Sequence, residues 1–354
     1  MGGTATTGGV TLGWAVATDV GNERAVNEDS ALAAPPVFVV ADGMGGHRAG
    51  DVASALVVDR FESIVDGDLR AVADVVGLLD EVNASILAEG ERSVARSGMG
   101  TTAVGLLLVD NGDRSSWLLF NIGDSRAYRW ADDELEQLSV DHSYVQELIE
   151  AGEIAQSSAR THPHRNVVTR ALGVEEGPQP DMWLRPPRAG ERFLLCSDGL
   201  SSELDDDEIG QLLADNTVDE VAAALVERAL AAGGHDNVTV LVVDVIAVDD
   251  EVAAGTTAPR EVLLAAVAAD RRGGTPASEA STAVGARDHG GRSTTPPADD
   301  LVDSPTIEDA STLRTADTLE VPAVEIDDDP PALIDRVPPQ HELTVETDDQ
   351  EGEP

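Results

Sequence analysis

Val37-Phe38-Val39-Val40-Ala41-Asp42-Gly43-Met44-Gly45-Gly46 is an apolar, β-branched run that ends on a carboxylate and then on a glycine-rich turn. A run of this kind reads as a strand, and its end holds the carboxylate rigidly at the rim of a buried sheet. Three other places repeat the arrangement: Asn121-Ile122-Gly123-Asp124, Leu195-Cys196-Ser197-Asp198-Gly199, and Gly234-His235-Asp236-Asn237 just ahead of a further apolar run. Singly, Asp beside Gly is a common turn. Jointly, four such rims brought together make an all-oxygen cage for hard divalent cations.

Working outward, short apolar runs bounded by Gly, Asp or Pro predict strands at 10–20, 37–40, 103–109, 117–122, 193–196 and 238–245. Between them, Val72, Val75, Val76, Leu79, Val82 and Ile86 recur at spacings of three and four and share one helical face. Ile209, Leu212 and Leu213, then Val218, Val221, Leu225 and Leu230, repeat that pattern, and Gly233-Gly234 stops it. Strands cluster with few strand-helix-strand alternations, which favours antiparallel sheets flanked by helices, an α+β class, over a doubly wound parallel sheet.

The composition divides the 354 residues unevenly. Residues 1–9 read as a flexible Gly/Thr-rich start and 10–246 as one globular domain. The stretch 247–354 is rich in Asp, Glu, Thr, Pro and Ala and reads as a disordered acidic tail, unable to offset its ordering entropy by burial. Within the domain, 143–173 holds one short helix candidate (Val145, Leu148, Ile149) and then a polar stretch, the pattern of a flap beside a catalytic rim.

The formal net charge of −44 argues against nucleic acid and anionic lipid as partners. All 23 basic residues are Arg, so the P-loop lysine, the kinase strand lysine and Schiff-base chemistry are excluded together. The single cysteine, Cys196, cannot form an intramolecular disulfide and reads as a small buried strand residue. A thiolate phosphatase would need an Arg six positions later, where Ser202 stands. No apolar stretch reaches the ~20 residues of a membrane span, and no charged start precedes an apolar core at the N-terminus. The expectation is a cytoplasmic protein, monomeric by default.

Asp42 has two carboxylate oxygens with which to bridge two cations, and the carbonyl of Gly43 could add a further hard ligand. Arg24-Ala25-Val26-Asn27-Glu28-Asp29 adds a cation and two carboxylates within six residues. A guanidinium there could grip two phosphate oxygens as a fork, which a Lys could not reproduce.

Six ordered segments carry a resemblance. Arg24-x-x-Asn27-Glu28-Asp29, Asp42-Gly43-Met44-Gly45-Gly46-His47, Gly98-Met99-Gly100-Thr101-Thr102, Asn121-Ile122-Gly123-Asp124-Ser125-Arg126, Ser197-Asp198-Gly199-Leu200 and Asp236-Asn237-Val238-Thr239 resemble the motifs of bacterial metal-dependent serine/threonine protein phosphatases of type 2C, the PPM family. The resemblance spans roughly 12–245. It implies a four-layer α-β-β-α sandwich of two antiparallel sheets with helices outside and a metal centre at one end. It further implies two Mg2+ or Mn2+ ions, bridged by Asp42, with the Gly43 carbonyl, Asp198 and Asp236 as ligands and Glu28 and Asp29 in or near the shell through water. By the same pattern Arg24 holds the substrate phosphate, Asp124 with Asp198 holds a third, weaker metal, and Thr169 and Arg170 fall beside the flap.

One departure stands out: animal relatives carry a His directly after the Asp-Gly pair, a proposed general acid, whereas this chain has Met44. His47, three residues on, could take that role, because a His titrates near physiological pH. The implied reaction is single-step hydrolysis of phosphoserine or phosphothreonine by a water activated at the dinuclear centre, opposing Ser/Thr kinases that would be among its substrates. The alternative is a catalytically weak regulatory module on the same scaffold, binding a phosphoprotein; the intact ligand set argues against it. A simple Ca2+-binding protein lacks support, since no EF-hand spacing is present. In the tail, Thr306, Thr312, Thr315 and Thr318 lie in an acidic stretch where phosphorylation could create a docking site for a phosphothreonine-binding module.

Overall fold

In β4 (Val37–Met44) successive side chains leave the sheet on opposite faces. Val37, Val39 and Ala41 join one apolar cluster and Phe38 and Val40 another. The run is continuously apolar because both faces are covered, and that double burial sets the layer order of the molecule. The computed structural model describes residues 2–45, 49–65, 67, 72–110, 115–175, 177–214, 216–249 and 252. The chain divides into two units, 1–279 and 280–354, and every described residue belongs to the first. The tail beyond 252, with its threonines, lies outside the described residues, as does His47.

One sheet runs β1 (Gly2–Thr7), β2 (Val10–Asp19), β12 (Val238–Val248), β11 (Arg192–Cys196), β8 (Arg126–Ala131) and β9 (Glu134–Gln137) in spatial order. The other runs β10 (Asp181–Arg185), β7 (Ser115–Ile122), β6 (Ala103–Asp110), β4 and β3 (Asp29–Ala34), with β5 (Gly100–Thr101) paired to the end of β4. Every pairing between these strands is antiparallel. The inner faces meet in a core that includes Leu12, Phe38, Leu106, Trp117, Phe193 and Leu241. Trp117 and Phe193, from opposite sheets, meet edge to face at 5.7 Å.

Helices α1 (Gly50–Glu62) and α2 (Val72–Arg92) cover the outer face of the second sheet. Phe61 of α1 stacks on Phe120 of β7 at 5.3 Å, anchoring the helix layer to the strands. Helices α4 (Asp198–Ser201), α5 (Asp206–Ala214) and α6 (Val218–Ala232) cover the first sheet, against Leu194, Cys196, Val240 and Val242. A capping box, Thr217 with Glu220, starts α6. The expected four-layer sandwich is therefore the observed one. None of the described helices is long and apolar enough to cross a membrane.

The ends correct the sequence reading. Residues 2–7, expected as part of a flexible start, form β1 and pair with β2 over six positions. Their Gly/Thr composition hides an edge strand, because on an edge the hydrogen-bond ladder can hold without a buried apolar face. At the other end β12 runs to Val248, past the boundary expected at 246. Val252 is buried against the inter-sheet core, so the ordered domain reaches at least that residue.

Candidate metal centre

Strands β4 and β12 and the chain following β7 and β11 deliver their acidic residues to the same end of the sandwich. Asp42, Asp124, Asp198 and Asp236 line one cleft together with Arg24, Glu28 and Gly43. Four carboxylates separated widely in sequence thus come together.

The backbone around them is pinned by hydroxyls and amides. Asp42 N–H donates to Thr102 Oγ1 at 3.0 Å, Thr102 N–H donates to Asp42 O at 2.9 Å, and Thr101 Oγ1 donates to the same carbonyl at 2.9 Å. The motif 98–102 therefore works as a clamp on the main chain of Asp42. Gly43 N–H donates to Glu28 O at 3.2 Å, and Ser54 Oγ donates to that oxygen at 2.6 Å. A Cβ on Gly43 would run into the carbonyls of Gly50 and Glu28, so only glycine lets β4 pass this close to the start of α1. Gly199 is constrained likewise: a Cβ would meet the carbonyl oxygen of Asn237. These two close approaches bring Asp42 and Asp198 to the rim.

Asn237 is the residue whose role the sequence concealed. Its side chain donates to Val20 O at 2.9 Å and Val26 O at 3.0 Å, and accepts from Glu28 N–H at 2.8 Å. One buried amide therefore ties the loop carrying Arg24 and Glu28 to β12. Asn237→Ala is expected to cost about 2 to 4 kcal/mol, since three half-buried backbone groups lose their bonds. That corresponds to a melting temperature lower by about 5 to 15 °C. A thermal melt within 2 °C of the native chain would show that the loop is held by other means.

The electrostatics are those of a site built for cations. Burial pushes the Asp42 carboxyl well above its ordinary range, and the neighbouring charges of Asp29, Asp198, Asp124 and Asp236 push it further. Asp124 is raised by burial and by Asp198. Asp198 rises to about 6, first through burial and then through Asp236. Asp29 rises to about 7, mainly through burial, although the Ser197 hydroxyl donates to its Oδ2 at 2.8 Å. Glu28 is raised by burial and by Asp51, opposed by the N–H of Gly50.

Two further observations test whether the residues fit a metal. Asp42 and Asp198 line the same cleft, and each carboxyl is raised by burial and by the negative charges around it. The buried Asp29 Oδ1 has no hydrogen-bond partner among the described residues. Mutually repelling carboxyls and an orphaned acceptor beside them mark where positive charge belongs, and an all-oxygen donor set suits Mg2+ or Mn2+. Among the described residues no three such side chains are already closed into a cage. Arg24 Nη2 pairs with Asp236 Oδ2 at 2.6 Å. This pairing differs from the role expected of Arg24, whose side chain is nevertheless 49% exposed at the cleft.

The other expected residues take defined places. Asp29 stands behind the cleft wall, on Ser197. Thr169 and Arg170 line an adjoining groove with Met44 and Val174 rather than the cleft itself. Arg170 lies 3.5 Å from Asp181 and 3.3 Å from His142 Nε2. His142, unforeseen from sequence, is buried and accepts from Gly123 N–H at 3.1 Å, fixing the turn that carries Asp124. Asn166 and Val168 of the flap form part of the cleft wall. Cys196 is fully buried, with its thiol pushed up to about 12, so it is no nucleophile.

The family model described as protein phosphatase 2C matches residues 23–234, from just before Arg24 to just before Asp236. The chain belongs to the protein phosphatase 2C family. It is 42% identical over 263 residues to the serine/threonine protein phosphatase PstP of Mycobacterium tuberculosis, covering 73% of this chain and 49% of that protein. It is 38% identical over 240 residues to the serine/threonine phosphatase stp of Listeria innocua, covering 64% of this chain and 93% of the relative. The chain thus spans about half the length of PstP and nearly all of the Listeria protein. A crystal structure of M. tuberculosis PstP/Ppp superposes with a TM-score of 0.61 at 41% identity, covering 67% of this chain and 99% of that one. The PstP catalytic domain in complex with two manganese ions superposes with a TM-score of 0.60, at the same identity and coverage. These likenesses agree with the protein phosphatase 2C fold expected from the sequence motifs.

Proposed function

We propose that this chain hydrolyses phosphoserine and phosphothreonine esters in proteins, with two Mg2+ or Mn2+ ions held by Asp42, the Gly43 carbonyl, Asp198 and Asp236. The observation that carries the reading is the convergence of four raised or clustered carboxylates on one cleft that also presents Arg24. Two bound cations would lower the pKa of a shared water and offset the charge of the phosphoryl group. Asp124, next to Asp198, would serve a third, weaker cation, and Glu28 and Asp29 would act through water. The chain's own residues do the rest. Were Asp236 to hold a cation, the Arg24 guanidinium that now pairs with it would be available to hold two phosphate oxygens in a planar fork. The clamp from Thr101 and Thr102 fixes Asp42, so little reorganisation accompanies the reaction. His47 is proposed as proton donor to the leaving alkoxide.

In the same reading the substrates are phosphorylated proteins, Ser/Thr kinases among them, encountered in the cytoplasm by a monomer, with the flap selecting among them and the tail offering a phosphothreonine docking site. The test is turnover of matched phosphothreonine and phosphotyrosine peptides with Mn2+, with and without chelator. Hydrolysis of the first, weak action on the second and complete loss with chelator are expected. Activity that survives chelation would exclude the mechanism.

A further inference from the structure

Beside the metal cleft, and sharing Asp124, Asn166 and Asp198 with it, lies a second cavity. One wall is the segment 143–173 and another is the end of α4, at Ser201 and Ser202. Its charge is unusual for this chain. At a net charge of −44 carboxylates are abundant, and the described arginines generally close ion pairs with them, as Arg60, Arg129, Arg192 and Arg228 do. Arg160, Arg165 and Arg188 have no carboxylate partner among the described residues, and two of these three line this one cavity.

The acidic residues of the same cavity are already committed. Asp141 is taken by Arg126, with Nε to Oδ1 at 2.9 Å and Nη2 to Oδ2 at 2.6 Å. Asp124 and Asp198 face the cation cluster of the proposed reaction. Arg160 gives one Nη2–H to Ser202 O at 2.8 Å, which fixes its guanidinium at the end of α4 and leaves its other N–H groups without an anionic partner. Arg165 is exposed on the segment 143–173, between two histidines of that segment and Asn166 of the cleft wall. What remains once the carboxylates are counted out is a pair of unneutralised guanidinium groups one wall away from the reacting phosphate.

We propose that this cavity receives a second anionic group of the substrate, on a residue close in sequence to the phosphorylated Ser or Thr, held by Arg160 and Arg165. The inference rests on the reading of the neighbouring cleft as the phosphate-hydrolysing site. A phosphate and a carboxylate share the chemistry that would be recognised, two oxygens presented to a planar fork of donors. Ground-state grip of this kind acts on KM more than on kcat, and weakens with salt because both arginines are solvent-facing.

Three phosphothreonine peptides that differ only at one neighbouring position, with Ala, Glu or phosphoserine there, test the proposal with the full chain and Mn2+. A kcat/KM about tenfold higher for the two anionic peptides than for the Ala peptide is expected, expressed mainly in KM. The Glu and phosphoserine arms separate a general anion site from one that selects phosphate. In the double variant Arg160→Ala, Arg165→Ala the ratio should fall to near one, and the double Lys variant should keep part of it. A ratio near one in the native chain, or one unchanged in the double Ala variant, overturns the proposal. Failure of the cleft reading is read separately, as absence of p-nitrophenyl phosphate turnover by the native chain. In that event fluorescence anisotropy of the same peptides still scores the subsite by the same ratio.

Discussion

Asp198→Asn is expected to cut turnover of a phosphothreonine peptide by about a thousandfold or more while leaving the fold intact. The substitution keeps size and shape, so the packing of α4 against β12 is undisturbed. What it removes is one negative oxygen from a group that lines the cleft with Asp42 and, on the proposed reading, would hold a cation. Removing a single well-placed electrostatic partner from an active site costs about a hundred- to a thousandfold, and here the same change also weakens cation binding. Raising Mn2+ should therefore recover part of the loss. A second readout moves in the opposite direction. The Asp198 carboxyl is raised to about 6, mainly by burial, so its ionised form is a liability to the cation-free fold near neutral pH. The variant without cations should accordingly melt higher than the native chain at pH 8, by roughly 1 to 3 kcal/mol. Retention of more than a tenth of native turnover would remove Asp198 from the proposed ligand set.

The second large effect concerns cations and pH together. Asp29 near 7, Asp198 near 6, and Asp42 and Asp124 raised above their ordinary range all have folded pKa values above those of unfolded carboxylates, near 4. Groups raised in this way stabilise the fold below the unfolded pKa, and that contribution is lost as pH climbs through the folded values. The cation-free chain should therefore melt at a lower temperature at pH 8 than at pH 5. Self-repulsion from a net charge of −44 acts in the same sense, so the slope of Asp198→Asn, which lacks one raised group, separates the site from the background. With Mn2+ at about a hundred times its dissociation constant, binding adds about 2.7 kcal/mol. At pH 8 that is a rise of about 5 to 10 °C in melting temperature. Equal melting temperatures with and without Mn2+ at pH 8 would mean that the carboxylates hold no cation.

The sequence made some of this legible for a definite reason. Strands buried on both faces, such as β4, β11 and β12, leave continuous apolar runs, and the carboxylates beside them are conspicuous because they interrupt or border those runs. Edge elements leave no such trace. β1 is Gly and Thr but for Ala5, β9 is polar but for Leu135, and β10 carries charge at both ends, so their pairing depends on the ladder rather than on composition. The α1 helix was missed although Ala53, Val57 and Phe61 are spaced by four, because it follows directly on a glycine-rich turn. Within the site, Asp42, Asp124, Asp198 and Asp236 could be named from the chain, whereas the functions of Asn237, Thr102 and His142 could not. Each of those three acts on the backbone of a residue distant in sequence, and no local pattern announces a partner that folding alone supplies.

The placement of the four aspartates has a mechanical consequence. Asp42 belongs to one sheet, Asp198 and Asp236 lie within two residues of strand ends in the other, and Asp124 falls in the crossing between them. Cations shared among them would act as a clasp on the open edge of a book whose covers are otherwise held by the apolar pages between. Each such grip also closes a chain loop spanning much of the domain, where tethering restricts the unfolded chain most strongly. Depleting the ions should thus loosen the covers first at that edge, and hydrogen exchange should quicken at the ends of β4 and β12 before it does along the Trp117 and Phe193 spine.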